Sequence, residues 1–408
     1  MLAMDKTINL LKERLLFSQC TNVELLSDMM EKEAVTFYVG IDPTFKSLHI
    51  GHVLALITLK YLCDAGHKGI ILIGGGTARI GDPSGKTSSR KILSYEELDA
   101  NSERIIRQVK SFLQVRDGSL MYLNNKKWLE NLNYIDFLRD IGSHFSVNKM
   151  LSFESYKIRL ESGLSFLEFN YQLLQSYDFL ELHRRYGVMA QLGGEEQWGN
   201  MVAGADLIRR KGGGQVEAFT IPILTKADGK KMGKTEEGAL FLDADIVSPY
   251  KFFQYWRNVE DSELRKYLLK LTFLSIDEIE GLLSKDINMA KQRLAYEITL
   301  FIHGKKNADN ALEASKVAFG KSENRDAMPT SYLNIEDLQD EVAVVDLFFL
   351  ASLVSSKSEA RRLIEQGGAF LEGKEVKDVK MTVSKVILSG EGVVLRAGKK
   401  RIVRLIAK

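Results

Sequence analysis

The chain has 408 residues, of which 45% are apolar and 27% charged, with a formal net charge of +2. That length exceeds one ordinary hydrophobic core and predicts two or three domains, while the composition excludes disordered and collagen-like sequence. Two cysteines are too few for a disulfide scaffold or a cysteine zinc site. No apolar run reaches membrane-spanning length and the N-terminal stretch lacks a secretory apolar region, so a soluble cytoplasmic protein is expected.

An amphipathic helix is predicted at the start, and residues 37–41 then read as a buried strand. Asp42-Pro43-Thr44 breaks that strand before helical periodicity resumes over 51–62. Residues 69–74 form a second strand, an unbroken apolar run of the kind covered on both faces in a parallel sheet, and it exits into Gly74-Gly75-Gly76. A helix over 95–115, a short strand at 120–123, helices over 134–141 and 164–184, a strand at 188–192 and a helix from about Glu195 continue the alternation. A last strand over 219–224 precedes a lysine loop at 226–236. Residues 1–245 therefore read as an α/β domain, a Rossmann-like doubly wound parallel sheet with a helical insertion at about 115–187. Ligands of such a sheet belong at the carboxyl ends of its strands.

Residues 248–320 are helical in period throughout and predict a small α-helical domain. Residues 321–341 read as a polar linker. Residues 342–408 read as a compact α+β module of two short helices followed by short strands. This last segment holds 13 Lys and Arg against 7 Asp and Glu, a charge of +6 that leaves −4 for the rest and marks a candidate RNA-contacting surface.

Two motifs bear on chemistry. His49 and His52 lie three apart where a loop enters a helix, with Gly51 between them. Free N–H groups and positive partial charge at such a helix start suit phosphate oxygens, and ordinary packing is the alternative. A zinc site lacks the His-Glu-x-x-His spacing and a third ligand. Lys226, Lys230, Lys231 and Lys234 alternate with Gly229 and Gly233, which fits either a solvated basic turn or a loop that neutralises charge on a departing pyrophosphate. Gly81 to Lys86 falls one residue short of a phosphate-binding P-loop, and Pro83 removes a backbone donor that such a cradle needs.

His49-Ile50-Gly51-His52 resembles the HIGH motif, and Lys231-Met232-Gly233-Lys234-Thr235 the KMSKS motif, of class I aminoacyl-tRNA synthetases. The stretches from Tyr38 to Thr44, Ile80 to Lys86, Gln191 to Gly194, Gln197 to Asn200 and Thr225 to Gly229 resemble the bacterial-type tyrosyl-tRNA synthetases, and the likeness runs essentially end to end. It implies a tyrosine-tRNA ligase that forms tyrosyl-adenylate from tyrosine and ATP and then charges tRNA(Tyr).

The resemblance places Tyr38 and Asp178 at the phenol hydroxyl. It places Asp82, Tyr171 and Gln175 at the ammonium and Gln197 at the carboxylate end. Helical spacing sets Tyr171, Gln175 and Asp178 on one face. Thr44, His49, Lys86, Arg90, Lys231, Lys234 and Thr235 are assigned to the phosphates. His52, Gly40, Asp42, Gly51, Gly194, Glu196 and Met232 are assigned to the nucleotide. Val39, Ala55 and Glu196 depart from the commonest family pattern around the ribose. The resemblance further implies Mg2+ with the ATP, no protein metal site, a homodimer, and no DNA or membrane partner. The helical domain would lie in the anticodon region. The C-terminal segment resembles a ribosomal-protein RNA-binding module, with Lys357, Arg361, Arg362, Lys400 and Arg401 as tRNA contacts. Arg209 and Arg210 are candidates for the acceptor stem.

Overall fold

A computed structural model describes residues 5–84, 93–229, 232, 234–235, 238–318, 330–398 and 401–408, with side chains at 234, 235, 238, 317 and 318 excepted. Its contacts divide the chain into two units, Met1–Ile246 with Glu260–Leu283, and Val247–Val259 with Ser284–Lys408.

The first unit begins with helices α1 (Lys6–Glu13) and α2 (Val23–Lys32), each capped by a side-chain oxygen, from Asp5 and Asn22. Strand β1 (Thr36–Ile41) leads through a short 3-10 turn into α3 (Val53–Asp64), and β2 (Lys68–Ile73) leads to α4 (Tyr95–Phe112), which a Ser94–Glu97 capping box starts. After β3 (Leu120–Asn124) come α5 (Lys126–Leu129), α6 (Tyr134–Asp140), α7 (Val147–Leu151), α8 (Glu154–Ser162), α9 (Phe166–Phe169) and α10 (Tyr171–Tyr186). Strand β4 (Val188–Gly194), α11 (Trp198–Arg210) and β5 (Glu217–Ile221) complete the sheet.

All five strands run parallel in the order β3-β2-β1-β4-β5, the doubly wound arrangement expected from the alternation. Tyr38, Ile70 and Leu72 share one buried core with Phe179 and Leu180 of α10. Residues 18–21 pair with the outer edge of β5, so that edge is covered.

Several elements differ from the sequence expectation. β3 is an edge strand of the main sheet and not part of a helical insertion. The expected strand over 219–224 stops at Ile221 because Pro222 has no N–H to give the ladder. The expected helix over 164–184 is divided at Asn170 into α9 and α10. Two antiparallel two-residue strands, β6 (Lys234–Thr235) and β7 (Gly238–Ala239), begin within the stretch expected as the lysine loop.

The helices expected as one domain at 248–320 are shared between the units. α12 (Pro249–Arg257) belongs to the second, whereas α13 (Leu264–Leu271) and α14 (Ile276–Lys285) lie with the first. A buried cation holds them there. Arg14, 3% exposed, donates Nη1 to Leu269 O at 3.1 Å and to Thr272 O at 2.8 Å, and Nη2 to Leu274 O. It satisfies carbonyls at and beyond the end of α13, where a helix end presents negative partial charge.

In the second unit α12 packs along α15 (Ile287–Ala318), which breaks at Gly304, where φ of +79° is a conformation that favours glycine. β8 (Thr330–Leu333) and β9 (Glu341–Ala343) fall inside the stretch expected to be linker. They are followed by α16 (Val344–Leu350), α17 (Lys357–Glu365), β10 (Ala369–Leu371), β11 (Lys374–Glu375), β12 (Thr382–Ser384), α18 (Lys385–Ser389), β13 (Val393–Ala397) and β14 (Arg401–Ala407). The sheet order is β11-β10-β13-β14-β8, with β8 parallel to β14. Tyr250, Ala314, Val394 and Ile402 form a small apolar cluster that joins this module to α12 and α15.

Candidate active site

A cleft of about 830 Å³ opens at the carboxyl ends of β1 and β4, where the strand order reverses and a doubly wound sheet places its ligands. That volume lies in the range of small-molecule and cofactor pockets. At its floor Tyr38 is 1% exposed, and its hydroxyl has no hydrogen-bond partner among the described residues. Asp178, two turns into the body of α10, is 2% exposed. Trp128 Nε1 donates to its Oδ1 at 2.7 Å and Asn125 Nδ2 to its Oδ2 at 2.8 Å. Burial nevertheless pushes the Asp178 carboxyl up to about 8, with Asp42 and Glu181 adding to the rise and the two donors opposing it. Burial, with Asp178 nearby, also drives the Tyr38 hydroxyl well above its ordinary range.

Asn125 continues the polar chain. Its Nδ2 also donates to Thr77 Oγ1 at 3.0 Å, and Thr77 Oγ1 donates to Asp42 Oδ1 at 2.8 Å. Tyr171 Oη donates to the other oxygen of Asp42 at 3.0 Å. Gly74 is required here, because a Cβ at that position would overlap Asp42 Oδ1 and Thr77 Oγ1. Beside this lies a second acid: Asp82 accepts from Gln197 Nε2 at 2.7 Å and from Ser84 N at 2.9 Å. Asn200 Nδ2 donates to Gln175 Oε1 at 3.0 Å. Two carboxylates, three amides and a phenol thus converge on one end of the slot, a suitable seat for an ammonium group.

On the opposite wall the 3-10 turn Ile50–His52 begins with a reciprocal cap. Gly51 N donates to His49 Nδ1 at 3.1 Å, and His49 N donates to His52 Nδ1 at 3.2 Å, with the rings 4.1 Å apart. With His49 Nδ1 accepting, the neutral ring bears its proton on Nε2 as a donor. The Ile50 N–H donates to Leu240 O at 3.0 Å, which anchors the turn to the segment after β7. Gly40 leaves the cleft wall open, with no atom within 4 Å of where a Cβ would sit. Glu196 folds back over Gly194, and its Oε2 is buried without a partner among the described residues.

Every described residue expected at tyrosine or nucleotide lines this cleft: Tyr38, Gly40, Asp42, Thr44, His49, Gly51, His52, Asp82, Tyr171, Gln175, Asp178, Gly194, Glu196, Gln197 and Met232. Val39 and Ala55, the two apolar departures, line it as well. Lys86, Arg90, Lys231 and Lys400 lie outside the described residues, and only the backbone of Lys234 and Thr235 is described.

The candidate RNA contacts are spread over both units. Arg209 and Arg210 both pair with Asp206, at 2.6 and 3.0 Å. Lys357 pairs with Asp346 at 3.0 Å and Arg401 with Glu359 at 3.7 Å, while Arg361 and Arg362 are exposed on α17.

Asn125, Trp128 and Thr77 escaped the sequence reading, and Asn200 was named only within the stretch Gln197 to Asn200 with no role assigned, although all four hold the site's acids and amides in place. Gln191, named only as the first residue of the stretch Gln191 to Gly194, was given no role either. It is the register partner of Tyr38 across β1 and β4, is 3% exposed, and its Oε1 has no partner among the described residues. An amide in an otherwise apolar strand of a two-sided sheet was its available signal.

Known proteins match this architecture along the whole chain. The family described as "tRNA synthetases class I (W and Y)" matches residues 30–320, and "Tyrosine--tRNA ligase SYY-like C-terminal domain" matches residues 322–405. The chain is 57% identical to the tyrosine–tRNA ligase of Treponema denticola over 99% of its length and 100% of the relative's, and 54% identical to that of Treponema pallidum over 99% of each. A C-terminally truncated mitochondrial tyrosyl-tRNA synthetase from Aspergillus nidulans superposes with a TM-score of 0.68 at 27% identity, over 75% of this chain and 92% of that one. The Plasmodium falciparum tryptophanyl-tRNA synthetase, at 14% identity and a TM-score of 0.55, shares the fold over 77% of this chain and 88% of its own. With two family matches that together span residues 30–405 and full-length relatives above half identity, the chain belongs to the tyrosine–tRNA ligases, within the class I aminoacyl-tRNA synthetases.

Proposed function

We propose that the cleft activates tyrosine with ATP and then transfers the tyrosyl group to the 3′-terminal ribose of tRNA(Tyr). The observation that supports tyrosine most directly is the buried pair of Asp178 and Tyr38. Both Asp178 oxygens are fixed by Trp128 and Asn125, and the Tyr38 hydroxyl lies partnerless beside them. A phenol hydroxyl entering the slot both donates and accepts, and so satisfies this pair. Asp82, Tyr171 and Gln175 hold the ammonium, and Gln197 orients the carboxylate.

The tyrosine carboxylate attacks the α-phosphorus, the bond to the bridging oxygen breaks, and pyrophosphate leaves with its electron pair. No enzyme nucleophile is needed, so the rate comes from positioning and from stabilisation of charge. His49 and Thr44 face the phosphates, and Lys86, Arg90, Lys231, Lys234 and Thr235 act on the pyrophosphate side; the N–H groups expected to be free at the helix start are instead taken by His49 Nδ1, His49 O, Ile50 O and Leu240 O. Magnesium enters with the triphosphate as part of the nucleotide substrate. Glu196 and the backbones of Gly40 and Gly194 face the ribose.

For the second step tRNA rests on the basic C-terminal module through Lys357, Arg361, Arg362, Lys400 and Arg401, and its acceptor end reaches Arg209 and Arg210. The helices of 248–320 serve the anticodon region. The protein works in the cytoplasm as a homodimer. The α8–α9 corner supports the dimer, since Phe166 is 71%, Leu160 50% and Leu167 42% exposed at a corner pinned from within by the buried Arg159–Glu168 ion pair at 2.9 Å.

Exchange of labelled pyrophosphate into ATP, measured with all twenty amino acids, tests the reading. Tyrosine alone is expected to support exchange. No exchange at any magnesium level, or exchange driven by tryptophan, would refute it.

A further inference from the structure

Thr225 lies four residues past the end of β5, at the start of the lysine-bearing loop, and two side chains of α13 hold it. Tyr267 Oη donates to Thr225 O at 2.9 Å. Lys266 Nζ donates to Thr225 Oγ1 at 3.2 Å and is itself fixed by Glu263 Oε2 at 2.6 Å. α13 is in turn pinned at its far end by buried Arg14, whose guanidinium also lies 5.1 Å from the Tyr61 ring centre. At the other limb Met232 N donates to Leu224 O at 2.7 Å, and Met232 lines the cleft. The loop therefore starts from a fixed point, and none of these contacts belongs to the tyrosine slot.

We propose that Tyr267 and Lys266 are positioning residues for adenylate formation. By fixing Thr225 they set where the loop begins, and with it where the loop's ammonium groups meet the departing pyrophosphate. This rests on the reading of the cleft given above. A displacement of about 1 Å at the root is enough to matter, because charge stabilisation depends on groups held in advance at the place where charge develops.

The test uses the full-length protein. Tyr267→Phe and Lys266→Met are each measured in pyrophosphate exchange and in single-turnover adenylate formation, alone and combined with Lys231→Ala. The rate constant of adenylate formation is expected to fall roughly threefold to tenfold for each, the range one hydrogen bond supplies. The tyrosine KM stays unchanged, and Lys266→Arg recovers most of the rate. Once Lys231 is Ala, the further loss from Tyr267→Phe shrinks below about twofold, since the group being positioned is gone. An undiminished loss in that background, a rise in tyrosine KM that accounts for the effect, or wild-type rates in both variants would overturn the positioning role. Absence of tyrosine-dependent exchange in the unmutated protein would instead remove the reading on which it rests.

Discussion

Asp178 sits where burial works against its charge, and two donors only partly compensate. In the unfolded chain it ionises near pH 4, whereas in the fold it holds its proton to about 8. Between those values the native state binds a proton that the unfolded state lacks, so stability falls as pH rises, by about 1.4 kcal/mol per pH unit, and levels above about pH 8. Urea titrations of the ligand-free protein and of Asp178→Asn at pH 5 and pH 7.5 should therefore show the difference moving toward the variant by a few kcal/mol. A difference independent of pH would mean that the carboxylate is ionised throughout.

Tyr38 predicts a change of specificity. Phenylalanine in the slot leaves buried polar groups without partners, at roughly 1–3 kcal/mol per group. Tyr38→Phe removes one of those groups, so the ratio of kcat/KM for tyrosine over phenylalanine should drop by about tenfold to a hundredfold in exchange assays, with ATP KM unaltered. Tyr38 and Asp178 were legible through the family resemblance, to which helical spacing adds only that Asp178 shares a face with Tyr171 and Gln175. Asn125 and Trp128 were not, since their segment read as an insertion and nothing local in it announces a reach to a carboxylate about 50 residues on.

At the scale of elements, β1, β2 and β4 were legible from apolar runs that only a sheet covered on both faces requires. The place of α13 was not. It is set by Arg14, 255 residues away from Leu269 in sequence, and a hydrophobic period reports a helix but not the body on which it packs. The same helix buries Lys270 to 4% exposure. Burial, with Lys266 close by, lowers its ammonium to about 8 against the opposing pull of Glu195 and Glu263. Below about pH 8 the fold holds this charge at a cost, and from there to about 10.5 the unfolded chain retains a proton that the native state has released, so stability recovers as pH rises. Lys270→Met should thus raise the thermal midpoint at pH 7, by an amount that shrinks above pH 8. A gain that stays constant to pH 10 would count against a buried charged amine.

Over the whole molecule the charge is unevenly placed, +6 on residues 342–408 against −4 on the rest. That asymmetry was legible at once, but which cations are available was not, because pairing depends on the fold. Lys357 and Arg401 each have an acidic partner in the module, whereas Arg361 and Arg362 stand exposed side by side on α17. Cations that bind a phosphate backbone release counterions, so their removal weakens RNA binding and flattens its salt dependence. The double variant Arg361→Ala, Arg362→Ala should raise the KM for tRNA and reduce the slope of log affinity against log salt by roughly 1 to 2. Tyrosine-dependent pyrophosphate exchange should remain at the wild-type rate, because Tyr38, Asp178 and the two histidines all belong to the other unit. A loss of exchange equal to the loss of charging would show that α17 supports the cleft and does not contact RNA.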